Sequence, residues 1–412
     1  MNNEQAPTAN AGRLPAEPAH SNYDVVIVGG AMYGSSVAWW TITNPDFNGR
    51  VLVVERDPTY EACSTVHTNS CIRQQFSNEL NIRISQFGAE FIKNFREFMG
   101  NDDRVPEIIL QSFGYMYMAN TEEFASTLKD AQKIQQQLGA GTKFLTRDEI
   151  AEAYPFYQLD DIIGANHNLV NEGYFDGATI FDWWKRMAKE KGVEFIHNEA
   201  VDMSVNAGRV ESVKLKSGTS VSCGKVVNAS GPRAILTSRM AGIEVPIEPR
   251  KRYTFIFDAA QPLDRDLPLT IDPVGVHMRT EGAYYLAGCP PDVDPAVDYD
   301  DYVEEHNIWE EKVWPVIANR IPQFEAIKLV NSWAGHYAFN TLDQNAIVGP
   351  HPEITNFVFV NGFSGHGFQQ SPAIGRAVSE HLTYDEFRTL DMTPLGFERV
   401  VSNTPYLESA II

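Results

Sequence analysis

Short apolar runs of strand length alternate along the chain with longer segments in which apolar residues recur every three or four positions. The first unit contains an apolar run over 24–28, a glycine-rich turn, a helical segment over 35–43 and a second apolar run over 50–55. Two strands joined through one helix form a βαβ unit, in which the strands are parallel and the crossover is right-handed. The opening of the chain therefore predicts an α/β fold built on a parallel sheet.

The remaining chain mixes helical and strand periodicities, and its length of 412 residues suggests two or three domains. The predicted helices cover 79–98, 122–138, 180–191, 299–320 with a break at Pro315, and a segment from Ser371. The predicted strands cover 114–119, 193–196, 209–215, 225–231, 253–257 and 356–361.

The composition is that of a folded, acidic protein. Hydrophobic residues make up 43% of the chain, which is enough to bury a core. The 54 acidic and 33 basic side chains give a formal charge of −21, which disfavours nucleic acid and anionic lipid surfaces as partners. No apolar run approaches the roughly 18–20 residues that a membrane-spanning helix needs. These properties favour a small-molecule partner.

The amino-terminal segment and the cysteines bear on location. Residues 1–22 are rich in Ala, Pro, Asn and Glu and lack the features of a secretory signal, so we expect a flexible tail there. Cys63, Cys71, Cys223 and Cys289 form neither a C-x-x-C pair nor a dense framework, which favours reduced thiols. We therefore expect a cytoplasmic protein, and no residue spacing along it indicates a metal site.

The first apolar run ends in a turn with the spacing of a dinucleotide-binding site. Gly29, Ala31 and Gly34 take the small positions of G-x-G-x-x-G, which allow a tight turn, close approach to a pyrophosphate and close helix packing. Ala31 replaces the second glycine, and Gly30 keeps the turn flexible. Glu55 ends the second run, where a carboxylate accepts hydrogen bonds from ribose hydroxyls. These residues predict a nicotinamide or a flavin dinucleotide.

Four motifs in order resemble the FAD-dependent D-amino-acid-oxidase superfamily. They are the glycine turn continued by 63–76, the segment 226–232, the segment 333–349 and the loop 362–368. The sequence is most similar to the branch of sarcosine oxidase, dimethylglycine dehydrogenase and glycine oxidase. The ending over 407–412 also resembles a branch that contains a respiratory-complex assembly flavoprotein.

The resemblance implies two domains. A Rossmann-like FAD-binding domain takes 23–98, 165–240 and 331–412, and an α+β, antiparallel-sheet substrate-binding domain takes 99–164 and 241–330. The positions implied to contact FAD are Gly29, Gly30, Ala31, Gly34, Glu55, Arg56, Ser64, Thr65, His67, Val201, Ser230, Gly231, Gly362, Phe363, Ser364, Gly365, His366, Gly367, Phe368 and Gln369.

The resemblance also implies a site for an amine substrate. Arg73 matches the position where sarcosine-oxidase relatives hold the substrate carboxylate, and a guanidinium pairs with a carboxylate through two hydrogen bonds. His336 and His366, in the two carboxyl-terminal motifs, are expected to border the substrate cavity. Gln369 stands where the family has a second cation, a lysine, which predicts a weaker clamp or a larger amine. The weaker candidates for wall or core positions are Tyr253, His277, Arg279 and Tyr337.

The mode of FAD attachment is left open by the sequence. The segment 64–67 resembles the S-T-x-H of dimethylglycine-dehydrogenase relatives, where that histidine carries FAD covalently, but 68–70 departs from their pattern. Attachment through a cysteine, as in monomeric sarcosine oxidases, would need a cysteine in 333–349, where there is none. Noncovalent FAD is favoured, and covalent attachment through His67 is the alternative.

The implied reaction oxidises the C–N bond of a secondary or N-methylated amino acid or amine to an imine, which water then hydrolyses. Reduced FAD would pass its electrons to oxygen or another acceptor, and backbone N–H groups of the loop 362–367 would stabilise the negative charge on the reduced ring. Two alternatives stay open: oxidation of a primary amine or hydroxy acid on the same scaffold, and an FAD-stabilised assembly or interaction factor.

Overall fold

The computed structural model describes residues 14–409, whose strands form two eight-stranded sheets and one two-stranded sheet. The first sheet is mainly parallel and the second mainly antiparallel, which confirms the predicted α/β fold with a second, antiparallel sheet. The strands are β1 (Asn22–Val28), β2 (Val51–Glu55), β3 (Cys71–Ile72), β4 (Tyr115–Ala119), β5 (Lys143–Thr146), β6 (Gly164–Asn168), β7 (Gly173–Tyr174), β8 (Glu194–His197), β9 (Ala200–Asn206), β10 (Arg209–Leu215), β11 (Ser220–Asn228), β12 (Ile247–Ala259), β13 (Leu269–Ile271), β14 (His277–Glu281), β15 (Tyr284–Cys289), β16 (Ile327–Asn340), β17 (Ile347–Pro350) and β18 (Phe357–Asn361). The helices are α1 (Met32–Thr43), α2 (Glu79–Lys93), α3 (Phe95–Phe98), α4 (Glu122–Gln137), α5 (Arg147–Ala153), α6 (Gly177–Glu190), α7 (Ala234–Arg239), α8 (Trp314–Arg320), α9 (Gly367–Tyr384) and α10 (Glu398–Val401).

The first sheet has the order β17-β18-β11-β1-β2-β8, and β9 and β10 extend it through β11. Its central strand β1 pairs in parallel with β2 and β11. Val25 and Ile27 pack into the core cluster that contains α1, whereas Val26 and Val28 belong to a second cluster. Because successive strand residues point to opposite faces, β1 is covered on both faces, which explains its continuous apolar run.

The second sheet has the order β16-β12-β15-β14-β13-β4-β6-β5. Its longest ladder joins β12 to β16, from the pair Ile247 and Asn340 to the pair Ala259 and Ile327. At the end of β16, the Asn340 N–H donates to the Ser364 hydroxyl oxygen at 2.9 Å. The second sheet therefore reaches the loop that follows β18 of the first sheet.

Two strands of the second sheet overlap segments that the sequence analysis placed in the FAD-binding domain. β6 and β16 belong to the second sheet, although 165–240 and 331–412 were assigned to the FAD-binding domain. β6 pairs with β4 and β5, and β16 pairs with β12, all of them strands of the second sheet. Pairing between strands decides sheet membership, and apolar periodicity within each strand carries no information about its partner.

The helix predicted over 299–320 is shorter in the structure. Helical turns begin only at Asn307, and the π-helical segment Trp309–Val313 that follows continues into α8. The residues before it make side-chain contacts outside a helix, including an ion pair between Asp301 and Lys251 at 2.8 Å. Pro315 lies in the first turn of α8, two residues after the π-helical segment ends, so it falls where the helix changes its hydrogen-bond pattern.

The helix predicted from Ser371 begins four residues earlier, at Gly367, and contains Pro372. Proline has no N–H, so the Phe368 carbonyl oxygen receives no helical hydrogen bond from that position. The Ser371 hydroxyl donates to this oxygen at 2.8 Å instead. A side-chain donor thus allows the helix to continue through the proline.

The segment before β1 differs from the predicted flexible tail over 1–22. Two carbonyl oxygens of this segment accept hydrogen bonds from the end of β8. The His197 N–H donates to Pro15 at 2.8 Å, and the Asn198 side chain donates to Ala16 at 2.8 Å. Residues 14–21 therefore lie along β8, and β1 begins at Asn22. The rest of the predicted tail, 1–13, lies outside the described residues, as does 410–412 of the carboxyl-terminal motif.

Between Leu14 and Ser409, no helix is both long and apolar enough to cross a membrane. Over the same residues, no group of three or more His, Cys, Asp or Glu side chains could hold a metal ion. The four cysteines are all unpaired.

Candidate active site

The glycine turn between β1 and α1 leaves no room for side chains at its first and last small positions. Gly29 has a φ of +98°, and a Cβ there would lie 2.5 Å from the Ala229 carbonyl oxygen. A Cβ on Gly34 would lie 1.8 Å from the Gly29 carbonyl oxygen, so Gly34 allows the helix to pack against the turn. Ala31, between them, lines a cavity of about 370 Å³. The amino-terminal end of α1 thus faces the cavity, an arrangement that attracts phosphate groups.

Glu55 lies beside this turn at the end of β2. Its buried carboxylate accepts hydrogen bonds from the Gly30 N–H at 2.7 Å and the Asp57 N–H at 2.8 Å. Burial raises the pKa of Glu55, and the two hydrogen bonds act against that shift. Glu55 and Arg56 line the cavity. Gly30 does not line it, and its N–H instead helps to hold the Glu55 carboxylate.

The connection between β8 and β9 leads into the cavity wall, but Val201 lies outside that wall. Val201 is exposed and does not line the cavity, whereas Asn198 and Ala200 do. The Asn198 N–H donates to the Glu55 carbonyl oxygen at 3.0 Å, which holds this connection against β2. Because neighbouring strand residues point to opposite faces, the step from Ala200 to Val201 turns the side chain away from the cavity.

The predicted hydroxyl-bearing and small residues gather on one stretch of the cavity wall. The Thr65 hydroxyl oxygen accepts from the first N–H of α1 at 3.3 Å, and the Ser64 hydroxyl donates to the His336 carbonyl oxygen at 2.6 Å. Ser230 and Gly231, in the turn after β11, also line the cavity. Residues from both large sheets therefore share one wall.

His67 lines the cavity with its ring held in place. Its Nδ1 donates to the Cys63 carbonyl oxygen at 3.0 Å. The ring stacks on Tyr302 with a centroid separation of 5.8 Å. A Cβ on Gly335 would lie 2.8 Å from the His67 Cβ, so this glycine makes room for the histidine.

The loop between β18 and α9 is fixed by the end of β16. Gly365 has a φ of +102°, and a Cβ there would lie 2.4 Å from Cε2 of Tyr337. The Ser364 N–H donates to the Ala338 carbonyl oxygen at 3.0 Å. Gly362 packs behind the loop against Ile247 and does not line the cavity. The predicted loop residues that do line it are Phe363, Ser364, Gly365, His366, Gly367, Phe368 and Gln369.

The amino-terminal end of α9 points its positive dipole end at the same part of the cavity. The first N–H groups of a helix have no partner within the helix, and the first turn of α9 contains no acidic residue. The Tyr33 hydroxyl donates to the Gly367 carbonyl oxygen at 2.5 Å, and its ring stacks on Phe363 at 4.0 Å. This end of the helix therefore favours a negative charge in the cavity.

Arg73 is buried beside the start of α9. The Gln369 side-chain oxygen accepts from the Arg73 backbone N–H at 2.7 Å, so Gln369 positions the backbone and brings no positive charge. The guanidinium lies 4.3 Å from the Phe76 ring centroid, and its Nε and Nη2 have no hydrogen-bond partner among residues 14–409. Burying unpaired donors of a charged group is costly. The guanidinium is therefore suited to an anionic ligand.

The two predicted histidines lie at different places. His366 is next to Arg73, because both contact the Phe76 ring, which is 5.5 Å from the His366 ring centroid. Burial, with Arg73 second, lowers the pKa of His366 to about 3, so the ring is neutral. His336 instead stacks on Tyr302 at 4.2 Å, and its pKa is lowered, mainly by burial. Of these two histidines, only His366 therefore lies next to Arg73.

The weaker candidates divide between cavity and core. Tyr253, His277 and Tyr337 line the cavity, and burial is the main cause that lowers the pKa of His277 to about 4. Arg279 does not line it and pairs with Glu281 at 2.5 Å. A further arginine with no sequence signal, Arg252, lines the cavity but is paired with Asp294 at 2.7 Å.

Several lining residues were not predicted. Tyr33 lies inside the glycine motif, and its position there was a usable signal. The others come from segments whose contact with the cavity depends on tertiary structure, and a single sequence gives no signal for them. They include Tyr60, Asn198, Thr237, Thr254, Leu269, Tyr115 and Tyr302.

The wall chemistry fits a dinucleotide with a flavin at one end. The glycine turn permits backbone approach, Glu55 supplies acceptors, and the amino-terminal ends of α1 and α9 favour negative charge at two separate places. The unpartnered Arg73 donors lie at the α9 end. The residues present therefore match FAD with an anionic substrate beside it.

Comparisons with known proteins agree with this chemistry. A family model described as FAD dependent oxidoreductase, DAO, matches residues 24–381. FAD-dependent oxidoreductase domain-containing protein 1 of Xenopus laevis is 37% identical, with 99% of this chain and 87% of that protein covered. Sarcosine oxidase subunit beta of an Arthrobacter species is 23% identical, with 93% of this chain and 92% of that protein covered. The crystal structure of L-proline dehydrogenase from P. horikoshii has a TM-score of 0.80 at 26% identity, covering 94% of this chain and 99% of that one. The chain belongs to the DAO family of FAD-dependent oxidoreductases.

Proposed function

We propose that the protein oxidises the C–N bond of a secondary or N-methylated amino acid to an imine, which water then hydrolyses. The observation that carries the proposal is the buried Arg73 guanidinium, whose Nε and Nη2 have no partner among the described residues. A carboxylate is the partner that these donors are suited to bind. Sarcosine oxidase subunit beta and L-proline dehydrogenase, both similar to this chain, are named for such substrates.

The residues that would hold FAD follow from the cavity wall. Glu55 would accept from the ribose hydroxyls, the glycine turn with Ser64 and Thr65 would bind the pyrophosphate, and the loop before α9 would contact the ring. FAD, when bound, supplies the acceptor for the hydride. The positive end of α9 would favour the negative charge that develops there. The division into FAD-binding and substrate-binding domains belongs to this proposal.

Substrate binding is the task of Arg73 in this proposal. Its guanidinium would orient the carbon that bears the amine, and Tyr115, Tyr337 and Leu269 of the cavity would keep water away from it. His366 and His277 are neutral, with pKa values lowered to about 3 and 4 mainly by burial, so neither repels a cationic amine. Because Gln369 brings no second cation, we expect the anchor to accept amines larger than the simplest N-methyl amino acids.

An anaerobic substrate panel tests this function. The holoenzyme is mixed with N-methyl, cyclic and primary amino acids, and with hydroxy acids, while flavin absorbance is followed. We expect bleaching by one or more N-methyl or cyclic amino acids. Bleaching by hydroxy acids alone would favour a different oxidation on the same scaffold. A flavin that no member of the panel bleaches would contradict amine oxidation and favour a non-enzymatic role.

We further propose that FAD is held without a covalent bond. His67 donates from Nδ1 to a backbone carbonyl and stacks on Tyr302, which suits a wall residue. Acid precipitation should leave the yellow colour in the supernatant. A yellow pellet that turns colourless in the His67→Ala variant would establish attachment at this histidine. The electron acceptor, whether oxygen or another molecule, and the cytoplasmic location stay predictions.

A further inference from the structure

Glu172 is a buried acid beside the segment that carries Arg73. In the two-stranded sheet, Cys71 pairs with Tyr174 and Ile72 pairs with Gly173. Arg73 follows Ile72 and Glu172 precedes Gly173, so both residues flank the same end of this short ladder. The Glu172 carboxylate accepts from the N–H of Gln74, the residue after Arg73, at 2.7 Å, and the charge of Arg73 acts on the pKa of Glu172.

The Glu172 carboxylate holds the backbone and side chains that follow Arg73. It is fully buried and accepts hydrogen bonds from the Gln74 N–H at 2.7 Å, the Gln75 side chain at 2.8 Å and the Asn168 side chain at 2.8 Å. All three donors are neutral, and no lysine or arginine among residues 14–409 forms an ion pair with this carboxylate. Glu172 therefore fixes the segment that carries Arg73.

Two phenols, one imidazole and the guanidinium near Glu172 keep one charge state at neutral pH. Burial is the main cause that raises the pKa values of Tyr115 and Tyr117, so both phenols are neutral. His366 from the start of α9 is neutral, with a pKa lowered to about 3 mainly by burial. From the carboxyl-terminal segment, Glu408 accepts from the Ser77 N–H at 2.6 Å. Arg73 carries a permanent positive charge.

Glu172 is the group of this set whose charge changes near neutral pH. Burial raises its pKa to about 7, while its three hydrogen bonds and the charge of Arg73 act against that shift. A carboxylate ligand on Arg73 would offset the positive charge that keeps Glu172 ionised. Glu172 would then bind a proton more tightly when the anchor is occupied.

We propose that Glu172 is the positioning residue of the substrate anchor, and that binding of an anionic substrate to Arg73 is coupled to uptake of one proton by Glu172. The inference rests on the proposed function, since it takes Arg73 as the carboxylate anchor. The proton comes from solvent and stays on the Glu172 carboxyl group until the anion leaves. Substrate affinity therefore falls as pH rises above neutral.

The surroundings of Glu172 can accept the protonated form. The Gln75 side-chain oxygen is buried without a partner, whereas its nitrogen donates to Glu172. Nitrogen and oxygen of an amide exchange places by a half-turn of the side chain. A protonated carboxyl group, or the amide of Glu172→Gln, could then donate to the Gln75 oxygen. Glu172→Gln is thus a model of the protonated state that cannot titrate.

The coupling is tested with benzoate, a carboxylate without an amine, and with benzamide as its uncharged counterpart. Benzoate binding to the holoenzyme is followed by flavin absorbance between pH 5.5 and 8.5. Proton uptake is followed by an indicator dye in weakly buffered solution at pH 7.

Glu380→Gln is the matched control: Glu380 is a buried acid that also accepts three hydrogen bonds, from Arg388 and Thr389. It lies 13 residues along α9 from Gly367, which is about 20 Å of helix.

For the wild type and Glu380→Gln, we expect the protein to take up a fraction of one proton from solvent when benzoate binds at pH 7. We expect its Kd to rise by up to about tenfold per pH unit above pH 7. In Glu172→Gln, both the proton uptake and the pH dependence of Kd should disappear. Benzamide should show neither effect in any variant.

Other outcomes separate the two proposals. Benzoate binding that is absent, or equal in wild type and Arg73→Ala, contradicts the anchor and with it the proposed function. Binding that needs Arg73 but takes up no proton, or that keeps its proton uptake in Glu172→Gln, overturns the role of Glu172 alone. If Glu172→Gln does not fold, the infrared difference spectrum of the wild type decides, because benzoate must convert a carboxylate band to a protonated carboxyl band.

Discussion

Gly365 shows how a single residue shapes the flavin end of the cavity. Its φ of +102° is costly for any residue with a side chain, and a Cβ would clash with Tyr337 at 2.4 Å. Gly218 has nearly the same φ, +99°, but nothing lies within 4 Å of a Cβ there. An alanine at Gly218 would therefore add backbone strain alone, whereas an alanine at Gly365 would add the same strain and a clash with Tyr337.

We predict that Gly365→Ala weakens FAD binding at least tenfold, because Tyr337 and the loop must move apart. Gly218→Ala should share only the strain, about 1–2 kcal/mol, and leave FAD affinity unchanged. FAD titration of the apoprotein measures the affinity, and urea unfolding measures the strain. Equal FAD affinity for Gly365→Ala and the wild type would show that the loop does not contact the cofactor.

Glu172 also gives a prediction about stability. Its pKa is raised to about 7, mainly by burial, from an ordinary 4.5, so the folded state binds this proton more tightly than the unfolded state. The unfolding free energy that depends on this group is therefore largest below pH 4.5 and is lost as pH rises through 7. Between pH 5 and 8, the stability of Glu172→Gln relative to the wild type should rise by about 3 kcal/mol. Urea unfolding at both pH values checks this, and a constant difference would contradict it.

At the scale of elements, the segment 298–305 connects three parts of the cavity rim. Asp300 pairs with Arg56 after β2 at 3.4 Å and with Arg233 after β11 at 2.5 Å. The Tyr302 hydroxyl donates to the Ala62 carbonyl oxygen at 2.7 Å. The segment therefore closes over the end of the cavity where Glu55 lies.

We predict that Asp300→Asn speeds the release of FAD by a few-fold. The effect is small because exposed ion pairs contribute up to about 1 kcal/mol each and are screened by salt. Asp292→Asn is the control, since Asp292 forms a comparable exposed pair with Lys312 at 2.6 Å. Fluorescence of released FAD measures the rate, and the difference between the variants should vanish at 1 M salt. A difference that persists in salt would contradict an electrostatic closure.

Most elements could be predicted from the sequence, because their periodicity is local. The run 25–28 is apolar throughout since both faces of β1 are buried, and the strand predicted over 209–215 coincides with β10. The segment 299–306 was mispredicted as helix, because its side chains form pairs such as Asp301 with Lys251 that are distant in sequence. The apolar periodicity of neighbouring residues does not predict such contacts.

The site was predictable to the same extent. The glycine turn, Glu55, Arg73 and the loop before α9 each lie in a contiguous motif, and the structure gathers them around one cavity. Val201 lies off the cavity wall, because a shift of one residue reverses the face of a strand, and its contact with FAD stays a prediction. Glu172 gave no signal, since it comes close to the Arg73 segment only through the pairing of β3 with β7, two strands that are distant in sequence.

At the scale of the whole molecule, the net charge of −21 contrasts with the positive charge of the buried Arg73. The acidic exterior disfavours polyanions, whereas the cavity between the two large sheets holds a guanidinium with unpartnered donors among the described residues. The interior is therefore suited to an anionic small molecule, which is the class of ligand that we propose. The central claim is that Arg73 binds the carboxylate of an amino acid while its C–N bond is oxidised.

The anaerobic rate of flavin bleaching, measured against substrate concentration for Arg73→Ala, tests this claim most directly. The control is Arg83→Ala, because Arg83 is an exposed helix residue paired with Glu79 at 2.7 Å. Losing a buried charged hydrogen bond costs about 2–5 kcal/mol, so we predict that Arg73→Ala needs at least thirtyfold more substrate for half-maximal bleaching, with Arg83→Ala unchanged. The same substrate dependence for Arg73→Ala and the wild type would contradict the account.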